Sequence, residues 1–277
     1  MKYVLVTGAY GGMGKAVTTA LKSAGYYVFA MDKKVDASQG SSASETEATV
    51  MPIEADITDT ESLKKAFDKV REKTDTLYAI LHFAGIYSLD SLVEMSEQAF
   101  LRAFNINVFG AYRVNKLFLP LLKQGSKIII TTSELAPLEP LPFTGIYAIT
   151  KSALDKYAYS LRMEVQLLGI SVSVLRPGAV NTGMLGVSTK ALDDFCKNTK
   201  LYSCNATRFK CIVDKVEARN VPAEKIANKT VKILAKKKPK QVYKINRNPL
   251  LLLLNALPKS CQTTIIKQIL KNKKTTE

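Results

Sequence analysis

Tyr147 and Lys151 stand four residues apart in the stretch Tyr-Ala-Ile-Thr-Lys. At that spacing two side chains lie one above the other on the same face of a helix. A fixed ammonium beside a phenol favours the phenolate and lowers a pKa that is ordinarily about 10. Such a tyrosine becomes a usable acid or base near neutral pH. The string by itself recurs on the solvated faces of ordinary helices, so its meaning rests on its company. That company is at the N-terminus, where Thr7-Gly8-Ala9-Tyr10-Gly11-Gly12-Met13-Gly14 joins an apolar run to a helical one. Four glycines in seven positions let the backbone turn tightly and approach a pyrophosphate, whose charge then sits at a helix N-terminus. A merely tight strand–helix turn rarely needs so many.

Asp32 ends the second apolar run, about where an acidic residue accepts the adenosine ribose hydroxyls. A carboxylate there repels a 2′-phosphate, so NAD is the expected cofactor. Position 11 is glycine, and the loop offers no cation before its second glycine. Lys33 and Lys34 keep NADP open, because either could reach such a phosphate; two solvated lysines is the plainer reading. Asp56 could accept from the adenine amino group or simply start a helix. His82, the one histidine, reads as a strand-end ring satisfied by backbone. Cys196, Cys204, Cys211 and Cys261 show no ligand spacing, so no metal site is expected and a reduced, cytoplasmic chain accounts for them.

The elements that must position these residues follow from periodicity. Residues 2–7, 26–31, 50–55, 77–82, 127–132, 171–175 and 241–245 read as strands. Helices are expected over 12–24, 60–73 (capped by Thr58 or Asp59), 96–119 (stopped by Pro120), 145–168 and 222–236. Residues 39–49 read as a polar surface excursion and 183–220 as an irregular lid. Strands alternating with helices argue for a doubly wound parallel sheet in a single Rossmann-type α/β domain over 1–245, with helices on both faces.

The net charge of +16 is uneven: residues 1–224 hold 26 basic and 23 acidic side chains, residues 225–277 hold 14 and one. The body is nearly neutral. The basic end carries only Tyr243 as an aromatic, which argues against nucleic-acid binding. Residues 246–277 form a basic amphipathic extension: Pro249 to Leu254, then a helix from about Ser260 to Lys271 with Ile265, Ile266, Ile269 and Leu270. Lysines 259, 267, 271, 273 and 274 flank it. It reads either as a helix packed on the lid or a partner subunit, or as a peripheral anchor at anionic lipid. Five leucines, 250 to 254, are too few to span a bilayer. The glycines also cut the Lys2–Thr7 run far short of a signal sequence.

Taken together, Thr7–Gly14, Ala84-Gly85, Asn107, Ser133, Tyr147-x-x-x-Lys151 and Arg176-Pro177-Gly178 resemble, in type and order, the short-chain dehydrogenase/reductases over roughly residues 1–245. The resemblance implies that Tyr147 exchanges a proton with the substrate oxygen and that Lys151 holds the nicotinamide ribose. It implies that Ser133 donates to the carbonyl or alkoxide, and that Asn107 supports a water relay from Lys151. The implied cofactor contacts are Gly8, Tyr10, Gly11, Gly12, Met13, Gly14, Asp32, Asp56, Ile57, Ala84, Gly85, Tyr147, Lys151, Pro177, Gly178, Val180 and Thr182. A homodimer or homotetramer is implied as well.

Two departures bear on this. His82-Phe83 replaces the family's usual Asn-Asn before Ala84-Gly85. The serine usually precedes the tyrosine by 13 residues, which here is Glu134, while Ser133 lies 14 before. A one-residue insertion in the loop Pro137–Pro142 accounts for it, since a carboxylate at the reacting oxygen would oppose alkoxide formation. Met184, Leu185, Leu192, Phe195, Leu201, Tyr202 and Phe209 are the expected lining of a hydrophobic substrate site. The stretch from Val221-Pro-Ala-Glu-Lys-Ile-Ala through Tyr243, with Asn248-Pro-Leu and Leu257-Pro258, resembles the C-terminal part of the retinol and hydroxysteroid dehydrogenases, which implies a lipophilic, steroid-like alcohol or ketone as substrate. A 3-oxoacyl thioester reductase is the alternative. A nucleotide-sensing protein without turnover would need only the glycine loop and Asp32.

Overall fold

The computed structural model describes residues 1–35 and 49–271, without the side chains of 183–190 and 217. The polar excursion falls largely outside these residues, as do Lys273 and Lys274 and the side chains of Met184 and Leu185.

Apolar runs too short for helices and rich in β-branched residues give strands buried on both faces. They are β1 (Lys2–Thr7), β2 (Tyr26–Asp32), β3 (Val50–Glu54), β4 (Leu77–His82), β5 (Leu122–Thr131), β6 (Ser171–Pro177) and β9 (Val242–Ile245). They pair in parallel in the order β3-β2-β1-β4-β5-β6-β9. The order reverses between β1 and β4, and there the carboxyl ends open a crevice. A short pair, β7 (Val180–Asn181) and β8 (Val221–Pro222), stands apart from the main sheet. One sheet face packs the cluster around Phe29, Leu63, Phe118 and Leu154; the other packs the cluster around Val17, Leu21, Ile226 and Ile233.

Helices α1 (Gly12–Ser23), α2 (Thr60–Arg71), α3 (Glu97–Phe104), α4 (Gly110–Phe118), α5 (Gly145–Val165) and α8 (Ala223–Leu234) cover these faces. Asp59, not Thr58, caps α2 by accepting from the Glu61 N–H. The expected single helix over 96–119 is interrupted: Asn105–Phe109 form a π turn between α3 and α4. Such single π turns collect at functional sites. Pro120 ends the run in a short 3-10 turn, and β5 then starts at Leu122, five residues ahead of the expected Lys127.

Residues 183–220 are not irregular. They form α6 (Gly183–Asn198) and α7 (Ser203–Glu217), which bury Leu192, Phe195, Ala206 and Phe209 against Leu89 and Leu270. The extension folds as α9 (Pro249–Asn255) and α10 (Lys259–Leu270). Gln262, Ile266 and Leu270, at helical spacing, face the protein, while Ile265 and Ile269 remain exposed. Asn205 donates to the Leu270 carbonyl at 2.6 Å, tying α10 to α7. Among the described residues no helix is long and apolar enough to cross a membrane.

Candidate active site

The glycine loop is built by close backbone contacts. Gly8 has φ +69, and a Cβ there would lie 2.5 Å from the Ala84 nitrogen. A Cβ on Gly14 would lie 1.9 Å from the Gly8 carbonyl oxygen, and one on Gly12 would lie 2.4 Å from Thr182 Cβ. The turn delivers the first amides of α1, which have no intrahelical acceptors, to a cleft of about 950 Å³. Such a cradle fits a dinucleotide pyrophosphate. Asp32 accepts from the Tyr10 N–H at 2.9 Å and the Lys33 N–H at 2.7 Å, fastening the loop to the end of β2. Each carboxylate oxygen keeps a further lone pair for a ribose hydroxyl.

Ile57, Ala84 and Gly85 also line this cleft. Asp56 does too, but Lys33 donates to one of its oxygens at 2.6 Å and Thr58 donates twice to the other. Burial alone would raise the Asp56 carboxyl; the bonds from Lys33 and Thr58 outweigh it and hold it at about 2. The adenine contact expected of Asp56 therefore competes with a helix-start role that already uses both oxygens. Arg102, Phe109 and Arg113, on α3, the π turn and α4, face the same cleft and were not anticipated. Only their spacing along one interrupted helix signalled them.

A second, smaller cavity of about 180 Å³ adjoins the first and shares Met13, Phe83, Gly85, Ile86 and Thr182 with it. Tyr147, Lys151 and Ser133 meet there, as do Pro177, Gly178 and Val180, next to the dinucleotide cleft. Tyr147 and Lys151 both project from α5 into the cavity, with the Lys151 ammonium 5.7 Å from the phenol ring centre. Lys151 donates to the Thr131 carbonyl at 3.3 Å. The Ser133 hydroxyl lies near enough to the Tyr147 phenol to lower it and accepts from the Leu135 N–H at 3.1 Å. Glu134 lines the same wall without bonding to the phenol.

The phenol is not lowered as the spacing alone predicts. Burial pushes the Tyr147 phenol up to about 12; the Ser133 hydroxyl lowers it a little and the Glu134 carboxylate raises it further. Burial also brings Lys151 down to about 8. In the protein alone, desolvation outweighs the ammonium's pull on the phenol.

Asn107 sits in the π turn, 2% exposed. Its carboxamide accepts from the Ile86 N–H at 2.8 Å and donates to the Ile86 carbonyl at 3.0 Å and the Thr150 hydroxyl at 3.1 Å. These bonds fix the segment after β4 onto α5, and a relay from Lys151 would run past a carboxamide already engaged. His82 is also buried, with Nε2 2.8 Å from the Asn115 side-chain oxygen. Its partner is a side chain, not the backbone, and burial lowers it to about 4, so the ring is neutral.

The expected lid lining is mostly replaced. Phe209 reaches the cavity, but Leu192 and Phe195 pack into the lid's own core and Leu201 is 66% exposed. The wall comes instead from Ile86, Tyr87, Leu141, Ile212, Val213, Val216 and Leu251. Tyr87 packs edge-on against Tyr147, ring centres 4.6 Å apart. Phe143 (φ 64) lies just before α5 and packs its ring on Phe195, Tyr202 and Phe209, at 4.8, 5.3 and 5.4 Å.

Comparison with known proteins agrees with this geometry. The family model for short chain dehydrogenases matches residues 2–193. Estradiol 17-beta-dehydrogenase 2 of Mus musculus is 32% identical over 215 residues, covering 71% of this chain. The chain spans only 55% of the length of that enzyme. The 3-ketodihydrosphingosine reductase of Bacteroides thetaiotaomicron is 25% identical over 258 residues, covering 93% of this chain and 91% of its own. A short-chain dehydrogenase from Streptomyces avermitilis superposes with a TM-score of 0.75 over 96% of both chains at 21% identity, which speaks for the fold alone. The chain belongs to the short-chain dehydrogenase family.

Proposed function

We infer that the protein interconverts a secondary alcohol and a ketone on a lipophilic, steroid-like substrate, using NAD(H). The observation that carries this reading is the Tyr147 phenol, set beside Ser133 where a largely apolar cavity meets the glycine-lined cleft. A phenol held near 12 is a proton donor at neutral pH. It protonates the ketone oxygen in reduction, and the Ser133 hydroxyl stabilises the charge developing on that oxygen. In the oxidative direction Tyr147 must take the proton back, and the positive charge of Lys151 favours that form. The first turn of α1 would hold the pyrophosphate of a dinucleotide and Asp32 its adenosine ribose; when bound, the nicotinamide would supply or take up the hydride.

NAD is favoured because the Asp32 carboxylate opposes an added phosphate and because Lys33 is already paired with Asp56. A lipophilic substrate is supported by the wall of Ile86, Leu141, Phe209, Val213 and Leu251. Two relatives named for lipophilic substrates point the same way. The test is oxidation of NADH and of NADPH against steroid, retinoid and long-chain ketones, with the wild type and Tyr147→Phe. The variant should lose about 10²–10⁴-fold in kcat while NADH binding stays unchanged. Turnover that survives in the variant would refute the mechanism, and a preference for NADPH would refute the role of Asp32.

A further inference from the structure

The substrate cavity holds one charged group that proton and hydride exchange does not use. Glu134 is 8% exposed and lies on the wall that carries Ser133 and Tyr147. One carboxylate oxygen accepts from the Asn248 N–H at 2.7 Å, which ties the chain after β9 to the cavity. The other oxygen has no partner among the described residues; a Cβ on Gly178 would lie 2.8 Å from it. Exposed Arg247 acts on it only from a distance and forms no ion pair with it. Burial raises the Glu134 carboxyl, and the Asn248 bond and Arg247 offset part of that rise.

A latch for the Asn248 N–H alone does not require a charge, because a neutral amide oxygen would accept the same bond without the cost of burying an ion. The second oxygen is left able to accept from a donor on a ligand in the cavity that Glu134 lines. The ligand must approach Tyr147 to react, and Glu134 is close enough to that phenol for its charge to be felt there.

We propose that Glu134 selects lipophilic ketones and alcohols that carry a hydrogen-bond donor, above all an ammonium, beside the reacting carbon. The substrate class is then a long-chain vicinal amino ketone or hydroxy ketone, and ketones with an anionic group at that position are rejected. This deepens the reading above and rests on it. A charge-assisted hydrogen bond from the substrate favours the donor-bearing compound in ground and transition state alike, and a site built for a donor discriminates against analogues that lack it.

The experiment compares kcat/KM for a long-chain α-amino ketone, its N-acetyl derivative and its des-amino counterpart, with NADH. The wild type should prefer the free amine over both analogues by roughly tenfold to a hundredfold, as expected for a hydrogen bond to a charged group. Glu134→Gln keeps an acceptor for Asn248 and should bring the three rates within about threefold of one another. A wild type that does not favour the free amine, or a variant that keeps the preference, overturns the proposal. The wild-type comparison stands even if the variant folds poorly. Reduction of the des-amino ketone without preference overturns this proposal alone, whereas no reduction of any ketone overturns the underlying reading with it.

Discussion

The two cavities share five residues and are made in different ways. The dinucleotide cleft is shaped by backbone: a turn through Gly8, amides at the start of α1, and peptide groups fastened by Asp32. The substrate cavity is shaped by side chains from the segments after β4 and β5, from α5, from α7 and from α9. A site made of backbone tolerates few residue types at its contacts and leaves a glycine signature in the sequence. A site made of side chains accepts many combinations of similar volume, and its shape exists only once distant elements have packed.

Three substitutions sharpen that contrast. The largest effect is expected in the cleft. Gly14→Ala sets a methyl against the Gly8 carbonyl, and the overpacking costs about 1–3 kcal/mol. NADH affinity should fall roughly tenfold to a hundredfold in a fluorescence titration; an unchanged affinity would show that the loop can shift and is not fixed by its backbone.

The next effect lies at the seam. Lys151 titrates at about 8 in the fold against 10.5 ordinarily. Its contribution to stability is therefore fully present above 10.5 and is lost as pH falls through about 8, so at pH 7 it is a buried, costly ammonium. Lys151→Met should raise Tm by several degrees at pH 7, with the gain shrinking between pH 8 and 10.5, while turnover is lost. A gain that does not vary with pH would mean the lysine is not desolvated as described.

The smallest effect is expected in the substrate cavity. Ile212→Ala should raise KM for a lipophilic ketone roughly fivefold and leave NADH affinity alone. A change in NADH affinity would show the two cavities to be coupled.

The same contrast governs what could be read from the sequence. The strands, the glycine loop and the Tyr147/Lys151 pair follow from local rules of period and turn chemistry, and the fold brings Ser133 to Tyr147 despite the longer loop between them. The lid reads as irregular because few described side chains of α6 and α7 are fully buried: Leu192 and Phe195 on one, Ala206 and Phe209 on the other. Each helix is held by partners such as Leu89 and Leu270, distant in sequence. The π turn at Asn105–Phe109 leaves the helical pattern nearly intact, so spacing could not show it. The sign of the Tyr147 shift was missed because a pairwise charge argument omits burial. Spacing places Lys151 near the phenol but cannot say that both line a largely apolar cavity. Glu134 was weighed only as a rival to Ser133, since its free oxygen becomes visible only with Asn248 in place.

Phe143 gives the lid a mechanical character. Its left-handed backbone costs about 1–3 kcal/mol for a bulky residue and persists only because the surroundings hold it. Three of those surroundings are rings on α6, α7 and the turn between them, and two residues further on α5 begins. The clasp is therefore preloaded: backbone strain at Phe143 is opposed by the ring packing that holds it. Because the strained residue leads directly into α5, its relaxation would be transmitted to the first turn of the helix that bears Tyr147.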